Sequence, residues 1–265
     1  MIPVLFGVSV ITFSLSALLP GNPVDYILQF QDISPETRAA LEAQYHLNEP
    51  IWKRYFLWLQ DAATLDFGRS IISDRSVTFA ITSRLGATVL LGFIAFLIAI
   101  SIAIPTGIIA AVKKGSWADE ASRIFALFGV ATPNFWLGLI LLLVFAVFLG
   151  WFPAIPPDKP LLSPSMLYFI ILPAITLGTA QTAILMRLVR SSMVEEMNKD
   201  YVQLARAKGL SKRTIVVKHV LRNSLISVVT VAALQIAFLV NGAVVIEQVF
   251  SWPGLGRLLI QAINQ

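Results

Sequence analysis

Polar and apolar positions along this chain do not alternate; they segregate into long blocks. The first apolar block, "IPVLFGVSVITFSLSALL" at 2–19, has no basic leader, and its core is longer than that of a secretory signal. It is read as a first membrane helix. A polar region follows at 20–84, with turn formers in "LPGNPVDY" and a short helix predicted over "SPETRAALEAQY". In that helix Ser34 is the N-cap and Pro35 the first helical residue. The second block, 87–112, runs 26 residues without a charge, and a bilayer takes about 20 residues per helix. Block three, 124–151, is interrupted by "TPN" at 132–134, where proline removes a backbone hydrogen bond and predicts a kink. Two further blocks, 167–186 and 224–246, complete five expected crossings, the former containing Pro173 and Gly178. The remaining "EQVFSWPGLGRLLIQAINQ" is too polar and too broken to span, and its "FSWPGLGR" predicts a fold-back at the membrane surface.

The pattern therefore predicts an all-α polytopic bundle in three parts: a first helix at 1–19, an extracytoplasmic region at 20–84, and a core at 85–265. Composition agrees, with 57% hydrophobic and only 13% charged residues, where a soluble domain carries roughly 25% charged. With no cysteine, disulfides, thiol nucleophiles and cysteine metal sites are excluded. A net charge of +5 raises the question of a nucleic-acid partner, but the basic residues concentrate in short loops between apolar blocks. Segment 187–222 holds nine Lys or Arg against three acidic residues, and loop 113–123 holds three basic residues. Region 20–84 is net acidic, with eight acidic and six basic residues. Short basic loops stay in the cytoplasm, so 113–123 and 187–222 face inward, the N-terminus lies inside and the C-terminus outside. No nucleic-acid partner is expected.

The basic segment "DYVQLARAKGLSKRTIVVKHVLRNSL" carries its own punctuation. Asp200 is placed to cap a helix over 201–208, with Gln203 completing a capping-box-like pair. Gly209 suits the left-handed position that ends it, and Ser211 is placed to cap the next helix. An eight-residue helix is marginal in water, so something must hold it. Ala205 and Gly209 form a small-residue face beside Arg206 and Lys208, fit either for a partner's backbone or for anionic headgroups.

Those residues carry a resemblance. "QLARAKGLSKRTIVVKHVLR" resembles the cytoplasmic "EAA" signature of ABC importer permeases, with Gln203, Leu204 and Ala205 at the EAA positions, Gly209 at the glycine and Leu221 at the leucine. His219 and Arg222 replace its usual Ile and Pro. "LLPGNPVD", "LNEPIWKRYFLWL", "LDFGRSI", "TPNFWLG" and "EQVFSWPGLGRLL" follow in the order found in the first permease of the di/oligopeptide and nickel importer group. That group implies a type I permease fold with a short basic leader and a sixth crossing beyond Gln265. It further implies a second homologous permease, two cytoplasmic ATPases, an extracytoplasmic substrate-binding protein and surrounding membrane lipid. The coupling segment would comprise Tyr201, Gln203, Ala205, Arg206, Lys208, Gly209, Leu210, Arg213 and Leu221, seated on an ATPase. Peptides are the implied cargo, with nickel or a metal chelate the alternative.

Catalysis and cofactors are not expected of this chain. It has no GxxxxGK[ST] phosphate loop, so ATP and magnesium would reside on the partner ATPases. His46 and His219 are predicted on opposite sides and form no metal site. Intramembrane polar residues are functional candidates by default, which nominates Asn134, Gln181, Gln235, Asn241 and Glu247 for a translocation path. Glu247 is placed either to meet a cationic peptide terminus or to pair with Arg257. Trp151 and Trp252 are assigned to the outer aromatic belt. A gradient-driven carrier is the rival class, but the first four apolar blocks lack the internal ionisable relays that such carriers use.

Overall fold

The computed structural model describes residues 2–18, 24, 35–44, 46–70 and 73–264. It divides into two compact units, one up to Ser83 and one from Arg84 to Asn264. Among the described residues the secondary structure is helical, apart from one isolated bridge between Arg69 and Ser76.

The first unit contains α1 (Ile2–Leu18), α2 (Pro35–Gln44) and α3 (Ile51–Ala63). Pro35 opens α2 as its sequence predicts, while the Ser34 cap and the "LPGNPVDY" turn lie outside the described residues. An aromatic cluster joins α1 to α3: Phe13 meets Tyr55 edge-on at 5.4 Å, and Ser9 Oγ and Tyr55 OH share a hydrogen bond of 2.8 Å. In the following loop, Gly68 N–H donates to Asp66 Oδ1 at 2.9 Å and Arg69 pairs with Asp74 at 2.8 Å.

α4 (Val77–Val112) begins ten residues before the uncharged block. Its polar first turns are self-sufficient, because Thr82 Oγ1 donates to Thr78 O at 2.9 Å and Ser83 Oγ to Ala80 O at 3.1 Å. Loop residues 113–116 lead to α5 (Trp117–Ala131), and α6 (Asn134–Leu141) continues as a π-helix, Leu142–Phe148. The break between α5 and α6 is more than the predicted kink. Thr132 and Pro133 are extended, with ψ of 123° and 130°, and the two helices stand at 102°. Proline's constraint on its predecessor, added to its missing N–H, explains the full break.

α7 (Pro164–Phe169) and α8 (Ile171–Met197) form one long apolar span that extends eleven residues past the predicted crossing. α9 (Asp200–Ala207) and α10 (Lys212–Thr214) lead through π-helical Ile215–Leu221 into α11 (Arg222–Val249), and α12 (Leu255–Asn264) follows. Among the described residues, three spans are long and apolar enough to cross a membrane: Val77–Val112, Pro164–Met197 and Lys212–Ala237. The bent α5–α6 pair makes a fourth if counted as one span, and Pro3–Leu15 is a shorter apolar helix.

The α7–α8 span is the central element, with 72% of its most apolar stretch buried against 33% in α4. In lipid, helices gain little from the hydrophobic effect and associate through close packing, which favours small residues. α4 meets that need with Ala87, Leu91, Ala95, Ala99, Ala103, Gly107 and Ala111, all buried and four residues apart. A Cβ on Gly178 of α8 would come within 2.8 Å of Ala95 O, and one on Gly107 within 2.8 Å of Val189 Cβ. α5 approaches α8 as closely, at Gly129 and Ala183.

Candidate functional site

Two clusters of polar chemistry lie at opposite ends of α11. The first surrounds α9. Lys199, extended at ψ 151°, occupies the N-cap position without a side-chain hydrogen bond, so the Asp200 capping box predicted from sequence does not form. The register differs by one residue: Asp200 is the first helical residue, where its charge still favours the N-terminal end of the dipole. The C-terminal end forms as expected. Gly209 has φ +78°, its N–H donates to Arg206 O at 2.9 Å, and Leu210 N–H donates to Ala205 O at 3.3 Å. No atom lies within 4 Å of a Cβ built on Gly209, so glycine is required there by conformation and not by crowding. Ser211 caps the next turn, its Oγ accepting from Thr214 N–H at 3.3 Å.

α9 is held by its own chain on one face. Val202 is wholly buried and Ala205 nearly so, both packed in a core with Val189, Met193, Ile215, Val220 and Val228. Ala205 thus faces inward and does not share an exposed face with Gly209. The outward face presents Gln203, Leu204, Arg206 and Lys208, continued by Leu210, Lys212, Arg213 and Val217. Leu204 at 57% and Val217 at 54% exposure are apolar points among four cations. Leu221 is half-buried against the inner core.

A side-chain network ties α9 to both neighbouring spans. Tyr201 OH donates to Glu196 Oε2 of α8 at 2.6 Å and accepts from Asn223 Nδ2 of α11 at 3.1 Å. Lys199 pairs with the other oxygen of Glu196. Burial, together with the Glu196 carboxylate, raises the Tyr201 phenol above its usual range, which keeps it a proton donor. At the same end, Asp119 of α5 is 3% exposed and takes a bidentate bond from Arg190 of α8, at 2.5 Å from Nε and 2.8 Å from Nη2. Gly115 N–H, in the loop before α5, donates to the same carboxylate at 3.0 Å. Glu196, Asn223 and the Asp119–Arg190 pair were not singled out from sequence, although a carboxylate within reach of an apolar block and an arginine past the end of another are their signal.

The second cluster surrounds Glu247. It is wholly buried, so in this conformation it lines no open path. Thr88 Oγ1 of α4 donates to Glu247 Oε1 at 2.6 Å and accepts from Leu255 N–H at 2.8 Å. Arg257 N–H donates to Glu247 Oε2 at 3.1 Å. The alternative of an ion pair with the Arg257 side chain does not form, because that guanidinium donates to Ser251 O at 2.6 Å. A Cβ on Gly254 would collide with the Glu247 carboxylate, and one on Gly256 with the Val244 backbone. Trp252 is also corrected: it is 0% exposed, stacked on Phe169, with its indole N–H donating to Ala87 O at 2.9 Å. Trp151 is 59% exposed. "FSWPGLGR" does turn back as predicted, and the turn is clamped onto α4.

The other path candidates are scattered. Asn134 is half-buried at the start of α6, Gln235 is buried in α11, and the side chain of Asn241 lies outside the described residues. Gln181 is 8% exposed, and among the described residues its Oε1 is the buried side-chain oxygen without a hydrogen-bond partner.

The family described as binding-protein-dependent transport system inner membrane component matches residues 103–265, which include both clusters except Ala87 and Thr88 of α4. The chain belongs to that family. It is a multi-pass inner-membrane permease. Over its whole length this permease is 41% identical to the dipeptide transport system permease protein of Alkalihalophilus pseudofirmus, covering 85% of that protein. It is 39% identical to the glutathione transport system permease protein of Escherichia coli strain K12, again over 100% of the chain and 84% of the relative. A putative peptide transport system permease of Brucella abortus is 41% identical over 99% of the chain and 83% of its own length.

Proposed function

We propose that this permease is the membrane subunit of an ATP-driven, binding-protein-dependent ABC importer that carries peptides inward. The observation behind this is the α9 segment: a short helix fixed on its inner face by its own chain, with an outward face of apolar points among cations. Such a surface suits an acidic, partly apolar groove on a cytoplasmic protein. ATP and magnesium would be held by two ATPase partners, and transport would be alternating access. ATP and a loaded extracytoplasmic binding protein bias that two-state equilibrium, a second permease completing the path. Tyr201 would pass the motion of α9 to α8 and α11 together. Peptide cargo is supported by the relatives named for dipeptide and glutathione transport. Gln181 is the best-supported path residue, since a buried acceptor without a partner is costly unless a ligand or another subunit supplies a donor.

The test is affinity purification of the tagged permease from its native membrane, with uptake of a labelled dipeptide measured in parallel. Wild type should bring down two ATPases. Gly209→Glu, which forces a side chain onto φ +78° and sets a negative charge among the cations of the face, should lose them and lose uptake. Retention of both ATPases and of transport-coupled hydrolysis in Gly209→Glu would refute the assignment of α9.

A further inference from the structure

The outward surface between α5 and α8 has no role in the proposed coupling, yet its chemistry is sharply divided. Near the start of α5 an open pocket of about 420 Å³ is lined by Glu120, Arg123, Arg187 and Arg190, and one turn deeper by Ile124 and Leu127. An apolar groove of about 440 Å³ adjoins it, sharing Glu120 and Ile124 and running along Trp117, Phe125 and Phe128. Helical spacing creates this arrangement: 120, 123, 124 and 127 fall on one face of α5, while 187 and 190 fall on one face of α8.

We propose that this pocket binds the phosphate headgroup of an anionic membrane phospholipid, whose acyl chain lies in the adjoining groove. The charges are unbalanced in favour of an anion. Arg190 is committed to Asp119, and Arg123 pairs with Glu120 at 3.1 Å, both being about 60% exposed. Arg187 is exposed and, among the described residues, has neither an ion-pair nor a hydrogen-bond partner. An exposed Arg123–Glu120 pair is worth little, so Arg123 is free to turn to a phosphate beside Arg187. Depth points the same way. Trp117 at 85% exposure marks the headgroup level, and Leu127 at 69% and Phe128 at 67% lie in the apolar layer below it. A soluble phosphate would use the arginines and leave the groove empty; a phospholipid uses both. Basic pockets between spans on the cytoplasmic side are the usual place for such headgroups. The leaflet rests on the orientation of the basic loops; the headgroup chemistry does not.

The test is native mass spectrometry of the full chain, purified in mild detergent with its co-purifying subunits. Dioleoylphosphatidylglycerol and dioleoylphosphatidylcholine are titrated separately. Phosphatidylglycerol should reach half-occupancy at a concentration about fivefold or more below that of phosphatidylcholine, the effect of one interfacial arginine. Arg187→Gln, at an exposed and unpaired position, should fold normally and erase the difference. Arg123→Gln should narrow it. Equal binding of the two lipids, or an unchanged preference in Arg187→Gln, would overturn the proposal. So would displacement of phosphatidylglycerol by free glycerol 3-phosphate at equal concentration, which would assign the pocket to a soluble anion. Selective binding by the isolated chain but not by the complex would assign the face to a partner subunit and overturn it as well.

Discussion

Replacing Thr88 with valine probes the clamp at the end of α11 most directly, because the substitution keeps shape and deletes one hydroxyl. That hydroxyl makes two bonds, donating to Glu247 Oε1 at 2.6 Å and accepting from Leu255 N–H at 2.8 Å. Valine leaves a wholly buried carboxylate oxygen and a partly buried amide without partners. Each unmet group costs about 1–3 kcal/mol, and the partial exposure of the amide sets the sum at about 3 kcal/mol. A change of that size shifts the equilibrium between clamped and released turn by roughly 150-fold. Hydrogen exchange of a peptide covering 250–258 reads this shift at the Leu255 and Arg257 amides. In Thr88→Val these should exchange faster by about two orders of magnitude, while amides in the middle of α8 stay protected. Thr88→Ser, which retains the hydroxyl, should lie near wild type. Wild-type exchange in Thr88→Val would mean that Trp252 packing alone holds the turn and that the Thr88–Glu247 bond contributes nothing.

Asp119→Asn should destabilise the permease by about 3 kcal/mol, because it strands the Arg190 guanidinium beside a neutral group, and thermal unfolding in detergent checks this. Asp119→Leu combined with Arg190→Met should recover most of that loss, and failure to recover would show that the pair does more than neutralise itself. Tyr201→Phe removes the oxygen shared by Glu196 and Asn223, so stability should fall by about 1 kcal/mol. Peptide uptake per ATP hydrolysed should fall further, with ATPase association intact; an unchanged ratio would remove Tyr201 from the relay. Ser73→Cys, exposed in a chain with no native cysteine, should react with an impermeant maleimide in intact cells. Labelling only after permeabilisation would reverse the proposed orientation.

Features set by local sequence are legible in the residues alone. The apolar blocks mark the spans because each must satisfy its backbone internally over a fixed thickness. Gly209 and Ser211 mark the end of one helix and the start of the next because both act within four residues of themselves. What sequence did not disclose depends on distant partners. Arg190 finds Asp119 across 71 positions, and Glu247 finds Thr88 across 159. A lone carboxylate at the end of an apolar block looks equally like a ligand for substrate and a buried clamp until the partner is known. The Pro133 break announced itself, but a kinked helix and two helices at 102° share the same residues. The Lys199 and Asp200 cap positions differ by a single residue, at the limit of what helix boundaries define.

The four-residue rhythm of alanines and glycine along α4 has a mechanical meaning. Long side chains in an interface can change rotamer and absorb a displacement before the backbone moves. Methyl groups and hydrogen atoms cannot: between Gly178 and Ala95 the contact is essentially main chain against main chain. α4 and α8 should therefore move as one stiff strut. One end of that strut is tied, through Glu196 and Tyr201, to the segment proposed to feel the ATPases, and the other, through Thr88, to the turn beyond α11. A push at one face of the membrane would then reach the opposite face with little slack, and enlarging any residue of the seam would cost the transporter stroke as well as stability.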